Sequence, residues 1–290
     1  MTERVLSWAL ERVESGQRVA VATVLSAEVS VPGKPGARMA IDGHGVTNGT
    51  IGGAGLEMQV TDRLEKLLAE TDRNGGDVVT FHLNKGANGF EVVPLDSLCG
   101  GRVTLSLELI NPMPHILLMG GGHVAQALAS ACEVLGWAHS VQDSRAEFCN
   151  SDLFPKAREL HASNVDQFID SIEFKELNRF TNILLLGHDW KEDQNRLLHL
   201  MERKQSGESG IPHIGVIGSR AKWNTFTEVA LESGISKHIL DQIQCPIGLN
   251  IGAQSPEEIA VAVCADMIAH MKNVDPQNPD WRARLDALSD

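Results

Sequence analysis

The sequence has few cysteines and lacks an excess of positive charge. Its 290 residues include 25 Lys and Arg against 38 Asp and Glu, which gives a formal net charge of −13. Because proteins that bind the phosphate backbone of nucleic acids usually present a basic surface, we expect no nucleic-acid partner. The five cysteines are irregularly spaced without a CxxC pair, which argues against a disulfide scaffold or a structural zinc site. Free thiols fit a reducing cytoplasm.

Long apolar segments are also missing. The first twenty residues contain six charged side chains, so we expect no secretory signal peptide. The longest uncharged run, 109–132, is long enough to cross a bilayer, but it contains two prolines and three consecutive glycines, so we expect no membrane span. The G-x-S-x-G, Walker A and HExxH motifs are absent, and the histidines show no metal-ligand spacing. We therefore expect a cytoplasmic protein whose chemistry depends on other motifs.

A change of pattern near residue 112 divides the chain. Residues 1–110 predict an α+β domain whose strand order the sequence does not give. Pro112 and Pro114 interrupt both helix and strand and mark the boundary. From 115 to 272 short apolar strands alternate with helices, which predicts an α/β domain with a parallel, Rossmann-like sheet covered on both faces. Residues 273–290 form a polar tail.

A glycine-rich loop follows the first strand of the second domain. Gly120, Gly122 and Ala125 fit G-x-G-x-x-[GA], with His123 opening a predicted helix and Asp143 ending the next strand. In this pattern the first glycine makes a tight turn and the second lets a phosphate approach the backbone at a helix N-terminus. Asp143 would then hold a ribose diol. The alternative is a Rossmann unit kept for structure alone.

Other candidate residues follow strands or lie in glycine-rich loops. Arg145 offers a cation for a phosphate, or lies with Asp143 at a solvated strand end. Ser219 and Arg220 open a helix after a buried strand and form either an anion site or a helix cap. His188 binds a ligand or transfers a proton, or belongs to a cap of the next helix. The soft thiol of Cys99 precedes two glycines and is a candidate metal or sulfur contact, although a lone cysteine is more often a buried hydrophobe.

Four stretches together resemble the xanthine dehydrogenase accessory protein family, XdhC/CoxI. They are VPGKPGARM at 31–39, GTIGGAGLE at 49–57, LCGGRVTLSL at 98–107, and the run 217–263 with IGSRAK, CPIGLNIG and SPEEIAVAV. The resemblance spans about residues 5–272. It implies an N-terminal XdhC/CoxI domain, a C-terminal Rossmann-like domain, and a chaperone rather than a catalyst of hydride transfer.

The resemblance also implies a cargo and partners. The chaperone would bind the molybdenum cofactor, molybdopterin, support its sulfuration and insert it into an apo molybdenum hydroxylase such as xanthine dehydrogenase. A cysteine desulfurase and cofactor-synthesis proteins would be further partners, and the chain would form a homodimer. The residues that would contact the cofactor are Gly52, Gly53, Cys99, Gly100, Gly101, Gly120, Gly122, His123, Asp143, Arg145, His188, Ser219 and Arg220, with Cys99 the candidate contact to molybdenum or sulfur.

The sequence departs from the family pattern at three positions. Leu98 takes the place of the first of two cysteines, Trp190 that of a second histidine, and Gly33 that of a common arginine. Two other functions stay open: an NAD(P)-dependent oxidoreductase that uses the glycine loop with Asp143, and a non-catalytic nucleotide sensor.

Overall fold

The computed structural model describes residues 2–29, 33–70, 75–82, 92–94, 101–171, 174, 176–207 and 211–276. The chain divides into two compact units, residues 1–113 and 114–290. The first has a mixed sheet with helices and the second a parallel sheet between helices, so the predicted fold class is confirmed.

The first unit is built on one six-stranded sheet. Its helices are α1 (Thr2–Glu14) and α2 (Ala54–Ala69), and its strands are β1 (Val19–Val29), β2 (Arg38–Asp42), β3 (Thr47–Thr50), β4 (Gly75–His82), β5 (Val92–Pro94) and β6 (Gly101–Ile110). The strand order is β3-β2-β1-β6-β4-β5, and the pairs are antiparallel except β4 with β5. A short turn after Asp42 joins β2 to β3 as an antiparallel hairpin.

The two helices of this unit cover opposite faces of the sheet. Successive strand residues point to opposite faces, and in β1 Val19 and Val21 pack in a cluster with α1, whereas Ala20 and Ala22 pack in a cluster with α2. On α2 the fully or nearly fully buried residues recur every three or four positions, as expected of a helix with one apolar face; they are Leu56, Val60, Leu64 and Leu67.

The second unit is a parallel sheet with two covered faces. Its strands are β7 (His115–Met119), β8 (Ala138–Asp143), β9 (Leu160–Ala162), β10 (Asn182–Leu185), β11 (His213–Val216) and β12 (Ile243–Gln244). Its helices are α3 (His123–Leu135), α4 (Val165–Asp170), α5 (Trp190–Gln205), α6 (Arg220–Glu232), α7 (Lys237–Leu240) and α8 (Pro256–Met271). All five residues of β7 are buried, because this strand has a helix layer on each face.

The strand order of this sheet creates a crevice. The order is β12-β11-β10-β7-β8-β9, so the chain runs outward from β7 in one direction, then returns to β10 and runs outward in the other. The loops after β7 and β10 therefore leave the sheet in opposite directions. Parallel sheets bind their ligands at such a point, outside the carboxyl ends of the strands.

Candidate functional site

The glycine loop after β7 is packed directly against the loop after β10. Gly120 has a φ of +116°, which favours glycine, and a Cβ added there would lie 2.7 Å from the backbone N of Gly187. A Cβ on Gly121 would collide with the carbonyl oxygen of Phe148. Both glycines are therefore required by close backbone packing.

Gly122 differs from these two glycines because the space beside it is open. It is the N-cap residue of α3, makes no side-chain cap, and an added Cβ would meet no atom within 4 Å. The first N–H groups of a helix have no partner within the helix, and the helix dipole favours an anion there. His123 is exposed beside this position, whereas Ala125 is fully buried and lets α3 pack closely on the sheet. The open space beside Gly122 has room for a phosphate, and a side chain at this position would occupy that room.

Asp143 and Arg145 are paired with each other at the end of β8. Asp143 accepts hydrogen bonds from the Gly121 amide at 2.8 Å and from Arg145 Nε and Nη2 at 3.0 and 2.8 Å. Burial alone would raise the pKa of the Asp143 carboxyl, but the hydrogen bonds from Arg145 and Gly121 outweigh burial and lower it. The carboxylate that would hold a ribose diol therefore already has partners on both oxygens.

The loop after β10 carries His188 at the same edge of the sheet. His188 is exposed, and the next residue, Asp189, caps α5 by accepting the Lys191 amide at 2.8 Å. Asp189 thus has the capping role that was the alternative for this motif. The position predicted from family resemblance to hold a second histidine is Trp190, whose side chain is 48% exposed.

The loop after β11 borders a cleft of about 700 Å³. Ser219 caps α6 by accepting the Lys222 amide at 3.3 Å, and both Ser219 and Arg220 are exposed. The residues that line the cleft carry no charge; they are Ile217, Gly218, Ser219, Pro246, Ile247, Gly248, Leu249, Asn250, Ile251, Gly252, Ala253, Ile259 and Ala262. The Cys245–Pro246 peptide bond on this side is cis.

A buried charged network below these loops was missed by the sequence analysis. Asp193 and Arg196 on α5 are 0% and 1% exposed, and their Oδ1 and Nη1 atoms lie 2.9 Å apart. Lys222 Nζ donates to Asp193 Oδ2 at 2.8 Å, and Arg196 Nε donates to Gln142 Oε1 at 3.0 Å. A signal was present, because Asp193 has helical spacing with the core residues Leu197 and Leu200 and so belongs to the buried face of the helix.

The predicted residues of the first unit lie in a different setting. Gly52 and Gly53 both have a φ of +85° and lead into α2. Glu57 Oε1 accepts a hydrogen bond from the Gly52 amide at 3.1 Å, so this amide already has a partner at the start of the helix. Gly101 opens β6, while Cys99 and Gly100 lie outside the described residues.

The cysteines that the structure describes do not readily ionise to thiolates. Burial raises the pKa of Cys132 to about 12, that of Cys245 and Cys264 to about 11, and it also raises the pKa of Cys149. In the described ranges no three His, Cys, Asp or Glu side chains are grouped to hold a metal ion. The helices described are all too short or too polar to cross a membrane.

The structure thus brings eight of the predicted residues to the carboxyl edge of the parallel sheet. They are Gly120, Gly122, His123, Asp143, Arg145, His188, Ser219 and Arg220. This arrangement defines a protein with a Rossmann-like unit preceded by a mixed α+β unit.

Comparison with known families agrees with this class. The family described as XdhC Rossmann domain matches residues 116–267, and the XdhC and CoxI family matches residues 12–82. The first match alone covers more than half of the chain, and the chain therefore belongs to the XdhC family.

Two relatives and one solved structure resemble the chain. An uncharacterized Escherichia coli protein, YqeB, is 30% identical over 255 residues, which are 88% of this chain and 44% of YqeB. A Bacillus subtilis protein named as a probable xanthine dehydrogenase subunit is 31% identical over 168 residues, which are 58% of this chain and 46% of that protein. The chain thus spans less than half the length of either relative. A crystal structure named a xanthine dehydrogenase, from Bacillus halodurans, is 20% identical with a TM-score of 0.48 over 96% of this chain and 98% of that one.

Proposed function

We propose that this protein binds the molybdenum cofactor and supports its sulfuration and insertion into a molybdenum hydroxylase such as xanthine dehydrogenase. Membership of the XdhC family supports this role, and so does the similarity to a probable xanthine dehydrogenase subunit. The structural observation that carries the proposal is the open space beside Gly122 at the N-terminus of α3.

The cofactor's phosphate would lie in this open space. The amides at the start of α3 would donate hydrogen bonds to it, and the helix dipole would favour its negative charge. Arg220 and Ser219, exposed on a neighbouring loop of the same edge, would supply a cation and a hydroxyl. With a net charge of −13, the chain needs such local donors to hold an anion at all.

The pterin ring would lie in the cleft between the β11 loop and residues 246–253. A pterin carries no formal charge but has amide-like donors and acceptors, which suits a cleft whose lining is uncharged and rich in backbone groups. β11 and β7 are separated by β10, and two interstrand spacings amount to about 10 Å. A ligand with a phosphate at one end and a ring at the other can span this distance.

Cys99 would contact the molybdenum or the sulfur that is added to it. A thiolate is the soft ligand that such a centre prefers, and the four cysteines that the structure describes have thiols whose pKa values burial has raised. An apo molybdenum hydroxylase, a cysteine desulfurase and cofactor-synthesis proteins are the partners in this proposal, with the chain as a homodimer.

Titration with two ligands tests the proposal against an NAD(P)-dependent oxidoreductase. We expect purified protein to bind molybdopterin saturably and to show no turnover of NAD(H) with hydroxy acids or aldehydes. Micromolar binding of NAD with substrate oxidation, together with no binding of molybdopterin, would establish the oxidoreductase instead.

A further inference from the structure

The buried network on α5 connects the loops of the proposed phosphate site. Asp193 Oδ1 accepts the Gly187 amide at 3.2 Å, in the loop after β10. Its other oxygen, Oδ2, accepts Lys222 Nζ, which also donates to the carbonyl of Ile217 at 3.1 Å, in the loop after β11. One carboxylate therefore holds two neighbouring loops at the carboxyl edge.

The same network reaches a third strand and the glycine loop. Arg196 joins Asp193 to Gln142 of β8, the residue before Asp143, and Gln142 Nε2 donates to the Ser163 carbonyl at 2.7 Å. Gly187 in turn lies directly under Gly120, since a Cβ on Gly120 would lie 2.7 Å from the Gly187 nitrogen. Contacts thus run without a gap from Asp193 through Gly187 to the glycine loop.

Packing alone does not require such a network. Burying charges costs desolvation free energy, and apolar side chains of similar volume often stabilise a core as well or better. A side chain on Gly187 would collide with Asp193 Oδ1, so the backbone at this point is shaped to meet a carboxylate. Holding the geometry of the loops is a role that can offset this desolvation cost.

We propose that Asp193 is a positioning residue, which with Arg196 and Lys222 holds the loops after β7, β10 and β11 in the arrangement that binds the cofactor's phosphate. The phosphate part of this inference rests on the proposed function. The positioning part concerns the loops alone and is measured without any ligand.

Amide hydrogen exchange followed by NMR tests the positioning. The variants are Asp193→Asn and Lys222→Met. Because Lys222→Met keeps the buried Asp193–Arg196 contact, it still tests the network if Asp193→Asn fails to fold. Lys156→Met is the matched control, because Lys156 Nζ lies at the same 2.8 Å from a carboxylate oxygen, that of Glu133, but on the surface. We expect the Gly120, Gly121 and Gly187 amides to exchange roughly fivefold to thirtyfold faster in both variants, which corresponds to about 1–2 kcal/mol.

The Gly234 amide, which bonds to Leu231 in a turn after α6, is the internal reference. It should exchange at the wild-type rate. Equal acceleration at all four glycines would show a general loss of stability, and no acceleration at the three loop glycines would show that the network does not hold the loops. Either result overturns the proposal.

Titration with inorganic pyrophosphate separates this inference from the proposed function. We expect wild-type protein and the Lys156→Met control to bind it, and the two network variants to bind at least about fivefold more weakly. If wild-type protein binds no pyrophosphate, the phosphate site is wrong, and the exchange rates still decide whether Asp193 positions the loops. Unchanged pyrophosphate affinity in both variants would contradict the inference while leaving the phosphate site intact.

Discussion

The guanidinium of Arg145 makes a bidentate pair with the carboxylate of Asp143, with Nη2 2.8 Å from Oδ2 and Nε 3.0 Å from Oδ1. In a dinucleotide-binding site the acidic residue at this strand end contacts the ribose diol. Here both of its oxygens are engaged by an arginine two residues further along and by the Gly121 amide. A ribose diol would have to displace this pair in order to contact the carboxylate.

The first prediction concerns NAD. We expect wild-type protein to show no saturable binding of NADH below about 1 mM, because the bidentate pair must be broken before a diol can bind. Arg145→Ala should improve binding by releasing the carboxylate, whereas Asp143→Asn should not; NADH fluorescence titration measures all three. Micromolar binding by wild-type protein that Asp143→Asn removes would show that Asp143 contacts the ribose.

The second prediction uses the different surroundings of two glycines in one loop. Gly122→Asp places a good N-cap side chain in open space, so the thermal midpoint should stay unchanged or rise. The same carboxylate would repel a phosphate, and pyrophosphate affinity should fall by more than about tenfold.

Gly120→Ala is the structural contrast to this variant. It should cost about 1–3 kcal/mol of unfolding free energy, because the backbone has a positive φ and the new Cβ meets Gly187. Thermal unfolding and pyrophosphate titration measure both variants. Retained affinity in Gly122→Asp would place the phosphate elsewhere.

The third prediction concerns Cys99. Cys99→Ser keeps the size of the side chain and removes the soft ligand, so we expect a stable protein that delivers at least about tenfold less active cofactor. Cys245→Ser is the control, since burial raises the pKa of the Cys245 thiol to about 11. Activation of an apo molybdenum hydroxylase is the assay. Equal activation by both variants would show that Cys99 is a structural residue and not a contact of the cofactor.

The fourth prediction concerns acid stability. His115 is 3% exposed, its Nε2 lies 2.8 Å from Ser140 Oγ, and burial, assisted by Arg158, lowers its pKa from 6.5 to about 4. The unfolded chain therefore takes up the proton first, so the stabilisation is complete above pH 6.5 and is lost as the pH falls towards 4.

Urea unfolding at pH 7 and pH 5 measures this effect. His115→Gln should reduce the loss of unfolding free energy on acidification by on the order of 1–2 kcal/mol. The loss should not vanish, since burial also lowers the pKa of His213 to about 4. An identical loss in wild-type and variant protein would show that His115 is not buried as a neutral side chain.

Local patterns predicted much of the fold. The residues Ser255-Pro256-Glu257-Glu258 have the pattern of a capping box with a proline at the first helical position. The box forms at the start of α8: Glu258 N donates to Ser255 Oγ at 3.2 Å, and Glu258 Oε2 accepts the Ser255 amide at 3.1 Å. The glycine loop likewise stands between β7 and α3 as expected. These features depend on residues within a few positions of one another, so the local sequence is enough to predict them.

Such local patterns did not predict which strands pair with each other. β1 pairs with β6, so that Val19 lies opposite Ile110, and nothing local to either strand selects that partner. The contacts of Lys222 with Asp193 and of Arg196 with Gln142 have the same origin, because they join residues 29 and 54 positions apart and depend on how the strands are ordered.

The ligand that co-purifies with the protein shows whether it binds molybdopterin in cells. Wild-type protein and Gly122→Asp, purified from cells that make molybdopterin, should be assayed for bound pterin by mass spectrometry and by the fluorescence of its oxidised form. We expect molybdopterin to be bound to wild-type protein, and little or none to be bound to the variant at equal thermal stability. Wild-type protein without pterin, or equal pterin on both proteins, would contradict this expectation.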